Sequence, residues 1–369
     1  MAGVRPFVRD DIPAVGDLFI EIFRKGGRVR RAALLDYFER VYFESPWYDS
    51  AIPSLVYEDR AGSPAGFFGV LPRPMRLHGK SLRAAVPGNL MIRPDGGTRG
   101  DALAALALVK EFLRGDQDLS FTDTASEDSR KLWERCGGTT VRLYSLRWVR
   151  PIRPFAFGLD SFVRKGSRIR SAAALTKPLC SLADLALRGM RGGPFGHGKP
   201  SCRTEPLQIE QIIERLSRLP HYSLVPHYEP TTFAWLLEMA ASKRGHGELR
   251  SAMVVSDTGT LLGWFVYFLN TGGTCEVLQI VADTHTIDRV FGSLLEDAGR
   301  NGANALAGRL DPLFMNALSG SHCAFRFGQW ALAHARDPRA LEPFQTGYAL
   351  FSGLEGEQWT RFVGDAFED

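Results

Sequence analysis

Residues 91–112 read MIRPDGGTRGDALAALALVKEF. The stretch leaves an apolar strand end at Met91 and Ile92, turns through Pro94, Gly96 and Gly97, and enters an unbroken run of helix formers. Arg99, Gly100 and Asp101 stand where the helix opens, followed by Ala102, Leu103 and Ala104. The first-turn N–H groups of a helix have no intrahelical acceptors, and the helix dipole favours an anion there by roughly 0.3–1 kcal/mol. A pyrophosphate reaches those amides only where the neighbouring side chains are small, and Arg99 would add a charge-assisted contact. An ordinary strand–turn–helix junction uses the same glycines, so the stretch alone leaves both readings open.

The surrounding pattern supplies context. Before it, VRPFVRDDIPAVGDLFIEIF (4–23) predicts a short strand and then a helix capped by Asp10 or Asp11, with Pro13 in its first turn and Ile12, Val15, Phe19, Ile22 and Phe23 at helical spacing. A second helix is expected near Arg31–Tyr42, then strands in SLVYE, AGFFGVL, MRL–HGK–SLRAAV and GNLMI. Pro87-Gly88 interrupts the last of these, and a proline cannot donate to a ladder, so a bulge is expected there unless the strand is an edge. After residue 112 come the strand LSFTD, the helix SEDSRKLWERCGG with Ser126 as its N-cap, and the strand VRLYSLRWV.

The second half repeats this grammar as element order, without residue-level repetition. Helices at LQIEQIIERL and near Phe233–Ala241 precede the hairpin SAMVVSDTGTLLGWFVYFL and the strand CEVLQIVAD. A helix over Ile287–Ala298, the strand ALAGRLD, a helix near Leu313–Leu318 and late strands in FRFGQWAL and YALFS follow. Here no Arg-x-x-small-x-small turn occurs, and Asp288 in the first helical turn would repel a phosphate.

This element order and the turn at 91–112 resemble the GNAT N-acetyltransferase superfamily. The family's acyl-CoA signature is a strand ending in V-x-P, followed by R/Q-x-x-G/A-x-G/A at the next helix. Ile92-Arg93-Pro94 is similar to the strand end and Arg99–Ala104 to the loop, with two extra glycines before it. The opening strand and helix are similar to the family's first elements. SEDSRKLWERCGG resembles the second signature, with Ser126 where the family has Asn, Ser129 where it has Ala, and Trp133 where it has Tyr. That Tyr protonates the departing CoA thiolate in many members, and an indole cannot. The resemblance implies a mixed α/β (α+β) chain of two GNAT-like domains, each a mixed, mostly antiparallel twisted sheet flanked by helices.

Its implied bounds are 1–150 for the acyl-CoA-binding domain, 151–202 for a basic, partly helical linker with a helix near Ser171–Met190, and 203–369 for a degenerate second domain carrying the aromatic tail YALFSGLEGEQWTRF. Acetyl-CoA or another acyl-CoA is the implied donor, held by Met91, Ile92, Arg99, Gly100, Asp101, Ala102, Leu103, Ala104, Ser126, Ser129 and Trp133. Asn89 would face the cleft. Asp123 is offered as the base that deprotonates an attacking ammonium, although the same position suits a turn or a helix cap; Glu58 and Tyr144 are further candidates.

Composition sets limits on the partners. An apolar fraction of 44% and a charged fraction of 23% are those of a globular protein. The longest apolar runs, Ala102–Val109 and Leu261–Leu269, are too short to span a bilayer. The acidic, signal-free start makes the cytoplasm the expected location. Five scattered cysteines without C-x-x-C, and eight histidines without H-E-x-x-H, predict neither a disulfide framework nor a metal. His221 and His227 fall in a Pro/Tyr-rich loop without evident partners.

The formal charge of +4 conceals nine basic against two acidic residues in 151–202, a local net of +7. That segment is read as a solvated connector with a weak membrane-surface contact as its rival, and no nucleic-acid partner is expected. The expected activity is acyl transfer to an amine of a small or sugar-type molecule by direct attack on the thioester. A Fem-type aminoacyl transferase and a non-catalytic CoA-binding scaffold are the alternatives.

Overall fold

The computed structural model describes residues 3–24, 29–94, 98–165, 179–180, 182–184, 202–357 and 367, without the side chains of Thr98, Arg99, Ser161 and 163–165. The chain forms two compact units: Met1–Ser145, Pro220–Gly245 and Gln329–Asp369 make the first, and Leu146–Leu219 and His246–Gly328 the second. Both mix helices with mostly antiparallel sheet. No described helix is long and apolar enough to cross a membrane. Of the helix expected near Ser171–Met190, only 179–180 and 182–184 fall within the described residues, and these are helical.

In the first unit the strands are β1 (Gly3–Pro6), β2 (Leu55–Glu58), β3 (Pro64–Pro72), β4 (Met75–Leu77), β5 (Lys80–Leu82), β6 (Ala84–Ile92), β7 (Leu119–Ala125) and β8 (Thr139–Thr140). In the second they are β9 (Leu146–Pro151), β10 (Cys202–Glu205), β12 (Glu248–Ser256), β13 (Leu261–Leu269), β14 (Thr274–Ala282), β15 (Ala305–Arg309) and β16 (Ala324–Phe327). Two later strands, β11 (Leu224–Pro226) and β17 (Trp330–Ala335), return to the first unit.

The main sheet of the first unit runs β1-β2-β3-β6-β7-β17-β8, and that of the second β10-β12-β13-β14-β15-β9-β16. In each, the single parallel pair joins the fourth and fifth strands, β6 with β7 and β14 with β15. The sixth strand of each sheet is where the chain departs from the expected bounds of 1–150 and 203–369. VRLYSLRWV is not one closing strand. It breaks at a 3-10 turn, Leu143–Ser145, and its second part becomes β9 of the second unit.

Two aromatic residues explain the break. Tyr144 is fully buried in the first unit against Phe344 and Phe351. Trp148 is fully buried in the second, where its indole N–H donates to the Arg309 carbonyl at 2.9 Å and its ring meets Phe291 edge-on. Each core claims its own ring, so four residues suffice to change sheets. FRFGQWAL divides likewise, into β16 and β17.

Four helices frame the first sheet: α1 (Ile12–Phe23), α2 (Arg31–Tyr42), α3 (Thr98–Leu113) and α4 (Glu127–Arg135). Val15, Leu18 and Phe19 of α1 and Leu34, Phe38 and Tyr42 of α2 are buried, as their helical spacing requires. Asp11 does not cap α1 through its side chain; Arg5 takes both its carboxylate oxygens at 2.6 and 2.8 Å. The tail 348–357, expected on the second domain, lies in the first unit. Ala349 is fastened there by Tyr144, whose hydroxyl donates to its carbonyl at 2.8 Å.

Candidate active site: the gap between β6 and β7

Strands β6 and β7 pair only at Ala84–Leu119 and Ala85–Ser120, and beyond that point no pairing joins them. On its other edge β6 is bulged. Phe67 pairs with Met91 and Gly69 with Gly88, so Asn89 and Leu90 together oppose Phe68. The bulge expected at Pro87-Gly88 therefore sits one or two residues later. Pro87 pairs in register with Val70, and the chain turns at Asn89, which takes φ +57°. Asparagine is among the few L-residues that tolerate this left-handed conformation.

A hydrogen bond holds Asn89 in place: its Nδ2 donates to the Tyr42 hydroxyl at 2.9 Å. Complete burial pushes that hydroxyl above the usual tyrosine range and keeps it neutral. Gly69 makes the arrangement possible, because a Cβ there would overlap the Tyr42 hydroxyl.

The gap opens into a cavity of about 310 Å³. Pro87, Gly88, Asn89 and Leu90 form one wall, and Thr122, Thr124 and Ala125 of β7 the other. Val109 of α3 and Ser126, Ser129, Leu132 and Trp133 of α4 close one side, and Phe68, Phe23, Arg24 and Glu357 complete the lining. The lining mixes apolar side chains with the hydroxyls of Thr122, Thr124, Ser126 and Ser129, and Glu357 is the one carboxylate among its described residues.

Glu357 comes from the tail. Its carboxylate accepts hydrogen bonds from Thr122 Oγ1 at 2.6 Å and from Thr124 Oγ1. Its backbone N–H donates to Asp123 Oδ1 at 2.7 Å. Gly356 allows this approach, since a Cβ there would overlap the Asp123 carboxylate. Two residues earlier Glu355, fully buried, accepts from the Tyr228 hydroxyl at 2.6 Å and from the Ser352 amide at 2.7 Å. Burial pushes the Glu355 carboxyl up. Arg73, 3% exposed, lies over the Trp47 ring at 4.2 Å, and burial lowers its guanidinium to about 10. Tyr228 and Glu355 are the groups whose charges favour its cationic form.

The structure distributes the sequence-predicted residues unevenly. Asn89, Ser126, Ser129 and Trp133 share the cavity. Ser126 caps α4, accepting from the Ser129 amide at 3.2 Å, and the two hydroxyls lie 3.0 Å apart. Trp133 is 3% exposed and packs on Phe112 as well, so it is as much core as lining. Met91 and Ile92 are absent from the lining: Met91 is buried opposite Phe67, and Ile92 pairs with Gly66.

In the first two turns of α3, Gly100, Ala102 and Leu103 are exposed, Asp101 is half-buried and Ala104 is buried. The Arg99 side chain, with Gly96 and Gly97, lies outside the described residues.

The remaining candidates are engaged elsewhere. Asp123, offered as the base, is fully buried, accepts from the Glu357 amide and is not among the residues that line the cavity. Glu58 is held by Arg5 at 2.6 Å, and Tyr144 holds Ala349. His227 does have a partner, with its Nε2 2.8 Å from the Arg76 guanidinium. Glu357 escaped the sequence reading. The only signal for it was the acid–Gly–acid triplet Glu355-Gly356-Glu357 in an otherwise apolar tail.

Compared by sequence, the chain matches no protein-family model and no curated protein. Compared by structure, it is similar to a conserved protein of Enterococcus faecalis V583 described as a probable N-acyltransferase (TM-score 0.57, 11% identity, covering 91% of this chain and 72% of that one). It is also similar to GCN5-related N-acetyltransferases from Anabaena variabilis ATCC 29413 (0.55, 13%, 91% and 73%) and from Kribbella flavida (0.52, 12%, 91% and 72%). The chain has the fold of the GCN5-related N-acetyltransferases.

Proposed function

We propose that the chain is an acyl-CoA-dependent N-acyltransferase whose reaction runs in the first unit, with a small amine as acceptor. The observation that carries this reading is the coincidence, in one cavity, of a forked and bulged strand pair with a single buried carboxylate. Such a fork accepts a narrow chain such as the pantetheine arm, and the unpaired amides of a bulge can polarise the thioester carbonyl. The exposed Gly100 and Ala102 leave the start of α3 open for the donor's phosphates.

The chemistry is direct displacement. The acceptor reaches the cavity as an ammonium and gives its proton to Glu357. Its nitrogen then attacks the thioester carbon, and the C–S bond breaks as the amide C–N bond forms. Thr122 and Thr124 hold the Glu357 carboxylate in place for the first step. The thiolate leaves toward α4 and takes up the second proton that the nitrogen sheds as the amide forms, relayed by the Ser126 and Ser129 hydroxyls or water they hold, a transfer that Trp133 cannot make. Acetyl is the expected acyl group. In the second unit β14 and β15 pair over four residues, twice the length of the β6–β7 pairing, and Asp288 stands in the first turn of the next helix. Both features support a second unit that binds no donor.

Thermal unfolding with and without acetyl-CoA, in wild type and in Arg99→Ala, tests the reading. Donor at about 100 times its dissociation constant adds roughly 2.7 kcal/mol of stability, and the variant should gain less at the same concentration. No stabilisation by acetyl-CoA or longer acyl-CoA would return residues 91–112 to an ordinary turn. Stabilisation without thiol release across an amine panel would favour a non-catalytic CoA-binding protein.

A further inference from the structure

A second cavity of about 310 Å³ lies beside the C-terminal parts of α3 and α4. Lys110, Leu113 and Arg114 line it from the C-terminal part of α3, Arg135 and Cys136 from the end of α4, and His334 from β17. Among the described residues Lys110, Arg114 and Arg135 form no ion pair, the His334 ring has no hydrogen-bond partner, and no carboxylate lines the cavity. The neighbouring arginines are engaged. Arg130 is gripped by Glu127 and Glu134, and Arg336 donates to the Gly115 carbonyl at 2.7 Å.

A single basic residue in the last turn of a helix answers the partial negative charge there and needs no other reason. Here both helices send cations toward the same hollow, and a third element adds an imidazole. Like charges converge without a counter-charge, at a site with room for a ligand. Two exposed guanidinium forks and an ammonium lining one cavity suit the charge of a phosphate group.

We propose that this cavity binds a phosphate- or diphosphate-type oxyanion, at a site separate from the donor site. Residue 110 lies twelve positions beyond the start of α3, about 18 Å along that helix from the end proposed to hold the donor's phosphates, and the two cavities share no lining residue. Arg114 and Arg135 clasp the oxyanion, Lys110 supplies a point charge, and the His334 ring adds an N–H.

Calorimetric titration of the full chain with inorganic pyrophosphate, at low and constant ionic strength, tests the proposal. Wild type is expected to bind one equivalent in the presence of saturating CoA as well as without it. The double variant Arg114→Gln/Arg135→Gln is expected to bind at least tenfold more weakly, and Lys110→Gln to show a smaller loss. All three positions are exposed, and an unchanged unfolding midpoint confirms that the variants fold. Inorganic phosphate and a simple phosphomonoester, titrated in parallel, distinguish a free anion from a phosphorylated metabolite. Binding abolished by CoA but untouched in the double variant would place the anion at the donor site and overturn the proposal. An absence of binding at millimolar pyrophosphate would overturn it too.

Discussion

The backbone amide of Glu357 donates to the carboxylate of Asp123 at 2.7 Å, joining residues 234 positions apart in the chain. This contact aligns the tail on β7, so that the Glu357 side chain meets Thr122 and Thr124 while Asp123 turns away from the cavity. One buried acid positions the segment that delivers another.

Replacing Asp123 therefore acts through position. Asp123→Ala leaves the buried Glu357 amide without its acceptor, a loss of about 1–3 kcal/mol readable as a lower denaturant midpoint. Asp123→Asn keeps an oxygen at the same place and should lose less. If both variants match wild type in stability, the tail is held by its other contacts alone.

Glu357→Gln keeps size and hydrogen-bonding capacity but cannot take a proton. Turnover should fall by about 10²–10⁴-fold, the usual worth of a general base. The stabilisation by acetyl-CoA should remain unchanged. Near-normal turnover in this variant would transfer the proton to water and remove Glu357 from the reaction.

Gly69→Ala tests the support beneath the bulge. The added methyl overlaps the Tyr42 hydroxyl in a packed interior, and overpacking of this kind costs about 1–3 kcal/mol. Combining it with Tyr42→Phe, which frees that space but loses the bond to Asn89, should cost less than the sum of the two single changes. Additive losses in chemical denaturation would show that the two residues do not share the strain.

His227 predicts a pH dependence. Desolvation, then the Arg76 charge, hold its folded pKa below 6.5. The unfolded chain thus takes up the proton first as the pH falls. The stabilising contribution is complete above about 6.5 and is lost as the pH falls from there through the lower, folded value. His227→Gln should flatten the stability profile in that window, and an unaltered profile would assign the dependence to other groups.

Local pattern reveals much of this fold. The strand end at 91–92 and the helix from Thr98, the helical spacing in 12–23, the Ser126 cap and the bulge near Pro87-Gly88 all follow from contacts within a few residues, and all are found at or close to the expected positions. The likeness of that order of elements to the GNAT fold was readable for the same reason.

What was illegible depended on burial by distant parts of the chain. Nothing within VRLYSLRWV distinguishes Tyr144 from Trp148 as members of different cores, because the division arises from Phe344 and Phe351 on one side and Phe291 and Arg309 on the other. Asp123 was open to two readings, a base or a turn and capping residue, and only the tail crossing over it shows that it accepts from the Glu357 amide. Glu357 was not singled out, because nothing near it in the tail marks a site.

The sequence by itself determined the elements, their order and the small-residue opening of α3, since those rest on backbone geometry and side-chain period. Tertiary structure alone decided which strand completes which sheet and which carboxylate enters the cavity. Those choices depend on contacts between residues hundreds of positions apart, for which local sequence carries no period.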